Sequence, residues 1–598
     1  MKSILHRSAG PSAARSLACG LIAAAALAAC AQGAGDEGAG PAGRARAALA
    51  SEGDLDGDGV PDKEDPDRDG DGVPDVDDED WDGDGEPDND DDDEDGDGEP
   101  NEEDDDALVP LDQEPLPAAT GLHIVDQAAA VRLGKALFWD VQAGTDGQTA
   151  CASCHFRAGA DDRRLNTLDP GPDGVFASGG VSGPGQTFTP ASISNDDRVG
   201  SQGVAAGTFA GLDPDPTHAA DLCSATPGPP FGAQRQVTGR NTPTTIGAVF
   251  SRDTFWDGRA NPVFNGNDPF GLTANGSGPV TIANASLASQ AVGPPNNEVE
   301  MACAGRAFNG PGSLGAKLLA RPPLQFQRVA ANDSVLGPLS AAPAAGLLCG
   351  AAPCSYGDLI AAAFGPTLAA QAEAKFSLLW GEAIFAYEAT LVPDRTPLDQ
   401  YLKGDDNVMT PAQEKGYRIF KGKAHCTECH NGGTLSDSSW RYFLLEGPIN
   451  DDGGDQGYHN IGVRPTAEDL GRASLGPLGA SFSVSGSTFD RGAFKTPTLR
   501  NVKLTAPYFH NGGKATLEEV VDFYAHEGDF ANPELSDELH SFSLSTNERA
   551  ALVDFLKNAL TDCRVEKERA PFDHPELPIP NRASGLPAVG ANGTGACP

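Results

Sequence analysis

Long apolar segments and methionines are both scarce in this chain of 598 residues. The apolar run LACGLIAAAALAA at 17–29 has 13 residues, fewer than the roughly 20 that a helix needs to cross a bilayer. Strand-like alternation of apolar and polar residues is also rare, which disfavours an all-β fold. We therefore expect a mostly α protein with long loops and no membrane-spanning helix.

The N-terminal residues have the layout of a targeting signal. A basic stretch precedes the apolar run, as it does in secretory signal peptides. The run ends in LAAC, which resembles the lipobox of bacterial lipoproteins and implies removal of residues 1–29 and lipid attachment at Cys30. An ordinary signal peptide with an incidental Cys30 is the alternative. The small residue Ala31 directly after Cys30 resembles the pattern of lipoproteins that are sorted to the outer membrane. We therefore expect an exported, outer-membrane-anchored lipoprotein that faces the periplasm or the cell surface.

Negative charge is concentrated in one segment. Residues 51–106 hold 32 acidic and two basic residues, so this segment carries -30 of the formal charge of -45. A Gly- and Ala-rich tether at 30–53 precedes it, and four Asp/Gly repeats with a strict period of 13 residues fill 54–106. Alternating Asp with Gly at the turn can wrap oxygen ligands around Ca²⁺, and the segment resembles thrombospondin type 3-like calcium repeats. A disordered acidic spacer is the alternative.

Two copies of the pattern C-x-x-C-H give the strongest functional signal. At the Cys and His frequencies of this chain, roughly 0.004 matches are expected by chance. Two thiols at this spacing can each add to one vinyl group of the same haem, and the adjoining His is then held beneath the iron. A structural zinc site is the alternative, but neither motif has a second CxxC or an H-x3-5-H nearby. The pattern predicts two c-type haem sites, one at Cys151, Cys154 and His155 and the other at Cys426, Cys429 and His430.

The remaining cysteines predict disulfides. Cys19 lies in the signal and Cys30 in the lipobox, and an even six are left in a compartment where disulfides persist. Six cysteines allow 15 connectivities. We expect the pairs Cys349 with Cys354, Cys563 with Cys597, and Cys223 with Cys303.

Helical patterns surround both haem motifs. Apolar residues recur at helical spacing in DQAAAVRLGKALFWD before the first motif and throughout 356–391, the longest amphipathic stretch. The strings ATLEEVVDFYAHEG and STNERAALVDFLKNAL predict capped helices. Residues 156–238 are rich in Gly, Pro, Asp, Ser and Thr, and they predict long loops or an insertion.

From about 120 to 565 the chain resembles the bacterial dihaem cytochrome c peroxidase and MauG-like family. The matching strings include LGKALFWD, GRNTPT, FWDGRA, LASQAVGPPNNEVEM, GYRIFKGKAHCTECHNGG and FKTPTLRNVKLTAPYFHNGG. The resemblance implies two cytochrome c-like domains, a peroxidatic one at 115–395 and an electron-transfer one at 396–565, followed by a C-terminal tail at 566–598.

The resemblance also implies three catalytic residues. Trp256 matches the tryptophan that lies between the two haems, although a large core aromatic is the alternative. Gln290 and Glu300 match the pair above the N-terminal haem, where a carboxylate can move a proton between the peroxide oxygens as a general base and then a general acid. A surface carboxylate is the alternative for Glu300. The stretch between Trp256 and Gln290 is longer than is usual in the family, which indicates an insertion.

Two departures from the family pattern concern the distal iron ligands. Many members carry a distal His shortly after the first motif, but residues 156–176 contain none, so we expect a five-coordinate first haem. None of the three methionines lies where many members place the distal ligand of the second haem, and Tyr524 occupies that position. A phenolate ligand stabilises ferric iron, which favours MauG-like chemistry. His526 is the rival ligand, and Tyr524 as a plain helix-face aromatic is the remaining alternative.

A calcium site between the domains is a further implication of the resemblance. Asn241, Thr505 and Pro507 match its ligands, the last two through main-chain carbonyls, and hard oxygen ligands suit Ca²⁺. A turn-forming role is the alternative for Asn241. We assign His459 and His510 supporting roles near the second haem.

Together these features predict an enzyme, a dihaem c-type peroxidase that reduces hydrogen peroxide with electrons from a small cytochrome c or cupredoxin. A MauG-like oxidase acting on a protein or organic substrate is the first alternative, and a non-catalytic electron-transfer lipoprotein is the second. The expected cofactors are two covalently bound c-type haems and Ca²⁺. The membrane is contacted only through the lipid anchor, a second copy of the chain is a candidate homodimer partner, and no nucleic acid partner is expected.

Overall fold

The computed structural model of this chain describes residues 108–271 and 280–597. The predicted signal peptide, Cys30, the tether and the acidic repeats at 54–106 lie outside the described residues. Within the described ranges the regular secondary structure is mostly helical with small sheets, which confirms the predicted fold class for this part of the chain. Among the described helices, none combines the length and the apolar character of a membrane span.

The helices are mostly short and are separated by long loops. They are α1 (Gln127–Trp139), α2 (Ser286–Ala291), α3 (Leu314–Leu319), α4 (Tyr356–Ala369), α5 (Phe376–Glu388), α6 (Pro397–Tyr401), α7 (Pro411–Lys421), α8 (Trp440–Leu445), α9 (Leu517–Ala525), α10 (Thr546–Asp554) and α11 (Cys563–Glu566).

The strands pair into small antiparallel sheets of two strands each. These sheets are β1 (Leu168–Asp169) with β2 (Arg198–Val199), β3 (Gln202–Ala205) with β6 (Arg235–Val237), β4 (Gly207–Gly211) with β5 (Leu222–Ala225), β7 (Leu348–Cys349) with β8 (Ala352–Pro353), and β9 (Tyr458–His459) with β10 (Phe494–Lys495).

Sequence reasoning missed the strands within 156–238. This stretch contains β1 to β6, which the sequence analysis treated as loops or an insertion. Each strand has only two to five residues. A run this short is too brief to show a clear period of two.

The first core forms where α1 packs against α5 and α4. Asp126 caps α1, since its carboxylate accepts a hydrogen bond from the main-chain N–H of Ala129 at 2.9 Å. Gly134 faces α5, and a Cβ atom at this position would lie 1.9 Å from the carbonyl oxygen of Ala383. A glycine is therefore required for the two helices to approach this closely.

The second core also contains a close helix–helix approach that requires a glycine, here between a different pair of helices. Gly416 on α7 faces α10, where an added Cβ atom would lie 2.3 Å from the carbonyl oxygen of Ala551. The rings of Tyr417 and Phe420 on α7 pack against Phe555, which begins a π-helical turn after α10. The helices predicted from ATLEEVVDFYAHEG and STNERAALVDFLKNAL are confirmed as α9 and α10, both with capping boxes.

The predicted stretch 356–391 forms two helices rather than one. Gly365 adopts a positive φ of 78° and Pro366 follows it, so α4 is kinked near its end. A non-helical segment then separates α4 from α5. Proline lacks the N–H that an uninterrupted helix needs, which explains the kink.

The three predicted disulfides are confirmed: Cys223–Cys303, Cys349–Cys354 and Cys563–Cys597. The last one ties down the C-terminal residues, which do not extend away from the first core. Phe572, Leu577 and Ile579 are part of that core. The C-terminal segment therefore belongs structurally to the first haem region, although it follows the second in sequence.

Candidate dihaem active site

A single cavity of about 1300 Å³ is lined by residues from both haem motifs. Cys154 and His155 line one part of it, and Cys426, Cys429 and His430 line another. Pockets for one small molecule usually measure about 300–1,000 Å³. This cavity therefore has room for more than one such group.

A hydrogen bond from Nδ1 orients the imidazole ring of His155. The short 3-10 helix Cys151–Ser153 follows α1 and delivers the histidine to the cavity. Its Nδ1–H donates to the carbonyl oxygen of Gly159 at 2.8 Å, which leaves Nε2 available as a metal ligand. Burial lowers the pKa of His155, so the neutral imidazole needed for ligation is favoured.

His430 has the same arrangement in the second motif. Its Nδ1–H donates to the carbonyl oxygen of Leu435 at 3.0 Å, and burial lowers its pKa. The two histidines therefore present equivalent nitrogens, although the sequences around them differ.

The four motif cysteines fit covalent attachment of haem. Cys151, Cys154, Cys426 and Cys429 are free thiols, whereas the other six cysteines of the described ranges are paired. Burial raises the pKa of Cys154 to about 11 and that of Cys429 to about 12. Four unpaired thiols in two C-x-x-C pairs, each pair followed by a histidine, match the arrangement by which haem is attached.

One cluster near the second motif has ligand atoms close enough to hold a metal. The ligand atoms of Cys429, Asp437 and His459 lie within 4.8 Å of one another. However, His459 already uses both ring nitrogens: Nε2 lies 2.6 Å from Asp437 and Nδ1 lies 3.3 Å from Glu538. Since Cys429 is also the second thiol of the haem motif, we interpret this cluster as the buried support of that motif.

Gln290 and Glu300 both line the cavity that contains His155. Gln290 lies on α2, and the main-chain N–H of Glu300 donates to Asn297 at 3.2 Å after a tight turn. Glu300 is half-buried, whereas the neighbouring Glu298 is exposed. Burial raises the pKa of Glu300, and Arg259 partly opposes this shift. A half-buried carboxylate with a raised pKa suits proton transfer better than the exposed Glu298 does.

Trp256 contacts residues that follow the second haem motif in sequence. Its indole N–H donates to the carbonyl oxygen of Asn241 at 2.8 Å, and its own carbonyl accepts from the N–H of Lys495. Its ring lies 6.4 Å from that of His510, which stacks on Phe494 at 3.5 Å. Burial lowers the pKa of His510 to about 3, so this column of rings stays uncharged.

Asn241 and Pro507 meet directly, although 266 residues separate them. The side-chain amide of Asn241 donates to the carbonyl oxygen of Pro507 at 2.6 Å, and Thr505 lines the same cavity. In this orientation the amide NH₂ faces the carbonyl. A shared Ca²⁺ would require the amide to turn so that its oxygen faces the ion.

Tyr524 and His526 occupy different environments. Tyr524 on α9 is half-buried and lines the cavity, and its pKa is raised by burial and by nearby Cys429 and Cys426. His526 is exposed and lies 3.6 Å from Asp529. The structure therefore brings Tyr524, and not its rival, to the second motif.

Sequence reasoning missed two charged residues that line the cavity. Arg259 packs over the ring of Phe255 and pairs with Asp257 at 3.0 Å, and the FWDGRA string contains it. Glu388 is buried at the end of α5, and burial raises its pKa to about 8. Its Oε2 has no hydrogen-bond partner among the described residues. A glutamate inside an apolar helix was the signal that could have revealed it.

Comparison with known proteins identifies related sequences. Residues 215–407 match the family described as di-haem cytochrome c peroxidase. The chain is 33% identical over 196 residues to the methylamine utilization protein MauG of Methylorubrum extorquens, covering 33% of this chain and 46% of that protein. It is 37% identical over 140 residues to the cytochrome c551 peroxidase of Nitrosomonas europaea, covering 23% and 35%. The chain therefore spans about half or less of the length of these relatives.

A solved structure of a MauG-like protein associated with microbial copper homeostasis is also similar. It is 21% identical, with a TM-score of 0.42, and the match covers 78% of this chain and 95% of that one.

Proposed function

We propose that this chain, a relative of the di-haem cytochrome c peroxidases and MauG proteins, reduces hydrogen peroxide to water with electrons from a small extracytoplasmic redox protein. One observation supports this most: Gln290 and Glu300 line the same cavity as both haem motifs. Cys151 and Cys154 would attach one haem and Cys426 and Cys429 the other, with His155 and His430 as iron ligands. When bound, the two haems supply the one-electron redox chemistry that no side chain of the pocket provides.

Glu300 handles the protons in this proposal. Its carboxylate accepts a proton from the incoming peroxide and returns it to the departing oxygen. This transfer is most efficient when the pKa of the carboxyl group lies near the working pH. Burial raises its pKa in this direction. The Gln290 amide, which lines the same cavity, orients the peroxide by hydrogen bonding.

Trp256 links the two domains for electron transfer. Its contacts with His510 and Lys495, which both follow the second haem motif in sequence, support this role. An interdomain Ca²⁺ held by Asn241, Thr505 and Pro507 would fix this contact. The domain bounds 115–395 and 396–565, the lipid anchor at Cys30 and the calcium-binding acidic repeats are parts of the same proposal.

The proposal is tested by measuring hydrogen peroxide consumption by the full-length holoprotein with a reduced small cytochrome c as donor. We expect oxidation of two equivalents of donor per peroxide, because water formation needs two electrons. Donor oxidation that does not depend on peroxide would instead support an electron-transfer lipoprotein.

A MauG-like oxidase is the second candidate, and the position of Tyr524 favours it. Tyr524 would supply a tyrosinate ligand to the second haem, which would stabilise the ferric state and let that site hold oxidising equivalents. The organic or protein substrate would then replace the small redox protein as electron source.

Replacing Tyr524 by Phe tests this ligand. We expect the low-spin ferric signal of the second haem to change and its reduction potential to rise, because a ligand that favours ferric iron is lost. Spectroelectrochemistry of the holoprotein measures both. Tyr508→Phe is the matched control, since Tyr508 also lines the cavity but donates to the carbonyl oxygen of Val502 at 3.3 Å. A potential that changes with His526→Gln instead would contradict the assignment.

A further inference from the structure

A second tryptophan, Trp139, lies within a group of aromatic rings beside the first haem motif. The ring of Phe138 lies 6.3 Å from that of His155, 6.0 Å from Trp139 and 5.5 Å from Tyr387. On its other side, Trp139 stacks on His574 at 4.9 Å with nearly parallel planes. Aromatic rings therefore lead without interruption from the predicted iron ligand into the first core.

Trp139 has one hydrogen bond that fixes its proton. The indole N–H donates to the phenolic oxygen of Tyr387 at 3.1 Å. Burial, together with the nearby carboxylates of Asp333 and Asp573, raises the pKa of Tyr387, so the phenol stays neutral. A neutral oxygen holds the indole proton in place without removing it.

The surroundings of this pair favour positive charge. Trp139 is 5% exposed and Tyr387 is 2% exposed, so water does not screen charges here effectively. Asp333 and Asp573 are both fully buried beside one cation, Lys135. Two carboxylates facing a single ammonium leave a net negative potential near the Tyr387 phenol.

We propose that Trp139 is a redox-active residue that gives up one electron when hydrogen peroxide is reduced at the first haem site and no donor is at hand. The inference rests on the proposed peroxidase function, which supplies the oxidant. The peroxide takes up two electrons and two protons to form two molecules of water. One electron comes from the indole, and the other would come from the haem that the first motif would hold. No covalent bond to Trp139 forms or breaks, and its indole N–H remains hydrogen-bonded to the phenolic oxygen of Tyr387. The residue becomes a radical cation until a small redox protein returns the electron.

This site is separate from the Trp256 contact. The rings and carboxylates around Trp139 belong to the first core and to the C-terminal segment. Trp256 bonds instead to Asn241 and lies against residues of the second domain. The peroxidatic haem would thus have two aromatic routes for electron transfer. Trp256 would lead toward the second haem, and Trp139 would lie within the first core.

The test is electron paramagnetic resonance of the oxidised holoprotein frozen after hydrogen peroxide is added without a donor. We expect a narrow organic-radical signal whose hyperfine pattern changes when the protein is grown on ring-deuterated tryptophan. Trp139→Phe should abolish the signal, and Trp440→Phe, in the second domain, should leave it unchanged. Tyr387→Phe removes the hydrogen-bond acceptor of Trp139 and should alter the indole N–H coupling, which keeps the test valid if Trp139→Phe does not fold.

Peroxide consumption with a reduced donor is measured on the same samples. It distinguishes a failure of the Trp139 inference from a failure of the proposed peroxidase function. If the wild type consumes peroxide but its radical is absent, or persists unchanged in Trp139→Phe and Tyr387→Phe, the inference is overturned and the peroxidase proposal stands. If peroxide is not consumed at all, both are overturned.

Discussion

Replacing Glu300 by Gln is expected to lower peroxide turnover by about 10²–10⁴-fold, the usual contribution of a general acid–base residue. The amide keeps the size of the side chain but cannot accept a proton. Since Glu300 is half-buried on the cavity wall, its removal should leave the fold and the haem content unchanged. The measurement is steady-state peroxide consumption with reduced cytochrome c.

Glu298→Gln is the matched control for this variant. Glu298 lies two residues away but is exposed, so its replacement should leave turnover unchanged. In the wild type, activity should decrease as the pH falls through the pKa of Glu300, because the protonated acid cannot act as a base. Because burial raises the pKa of Glu300, this loss of activity should begin at a higher pH than it would for an exposed glutamate. Equal turnover in the two variants would contradict the assigned role.

Replacing Asp399 by Asn is expected to destabilise the protein by about 3–5 kcal/mol, the usual cost of leaving one buried charge unpaired. The guanidinium of Arg500 donates to both carboxylate oxygens of Asp399 at 2.7 and 2.8 Å. Arg500 also donates to the carbonyl oxygens of Gly433, close to His430, and of Pro393. The pair therefore ties the segment that enters α6 to the second haem motif.

The same pair predicts how stability depends on pH. Burial alone would raise the pKa of Asp399, but Arg500, together with hydrogen bonds from the main chain of Leu111 and Thr396, outweighs burial and lowers this pKa to about 2. Its unfolded value is about 3.9, so the stabilisation is complete above about pH 4 and is lost as the pH falls toward 2. Denaturant unfolding of the holoprotein measures both effects. Asp522→Asn is the control, because its ion pair with Arg549 is exposed and should contribute about 0–1 kcal/mol. Equal losses in the two variants would contradict this account.

Local patterns in the sequence predicted much of the fold. The two C-x-x-C-H motifs both reach the cavity, the three disulfides form as expected, and α9 and α10 begin at their predicted caps. The resemblance to the dihaem peroxidase and MauG family is confirmed by the match over 215–407 and by the related proteins. Each of these signals lies within a few residues of sequence or within a recognisable string.

Features that depend on distant contacts were not accessible from sequence. The C-terminal segment brings His574 onto Trp139, and the two residues are 435 positions apart. Glu388 and Arg259 line the cavity only because folding brings them there. The choice between Tyr524 and His526 depends on which face of α9 meets the second motif, and the sequence alone left both open.

The central claim is that His155 would be the one protein ligand of the first iron, so that peroxide could bind beside Gln290 and Glu300, whereas His430 and Tyr524 would both ligate the second iron. Low-temperature electron paramagnetic resonance of the oxidised holoprotein tests this most directly. The account predicts one high-spin ferric signal from the first haem and one low-spin signal from the second. Two low-spin signals, or a single haem per chain, would contradict it.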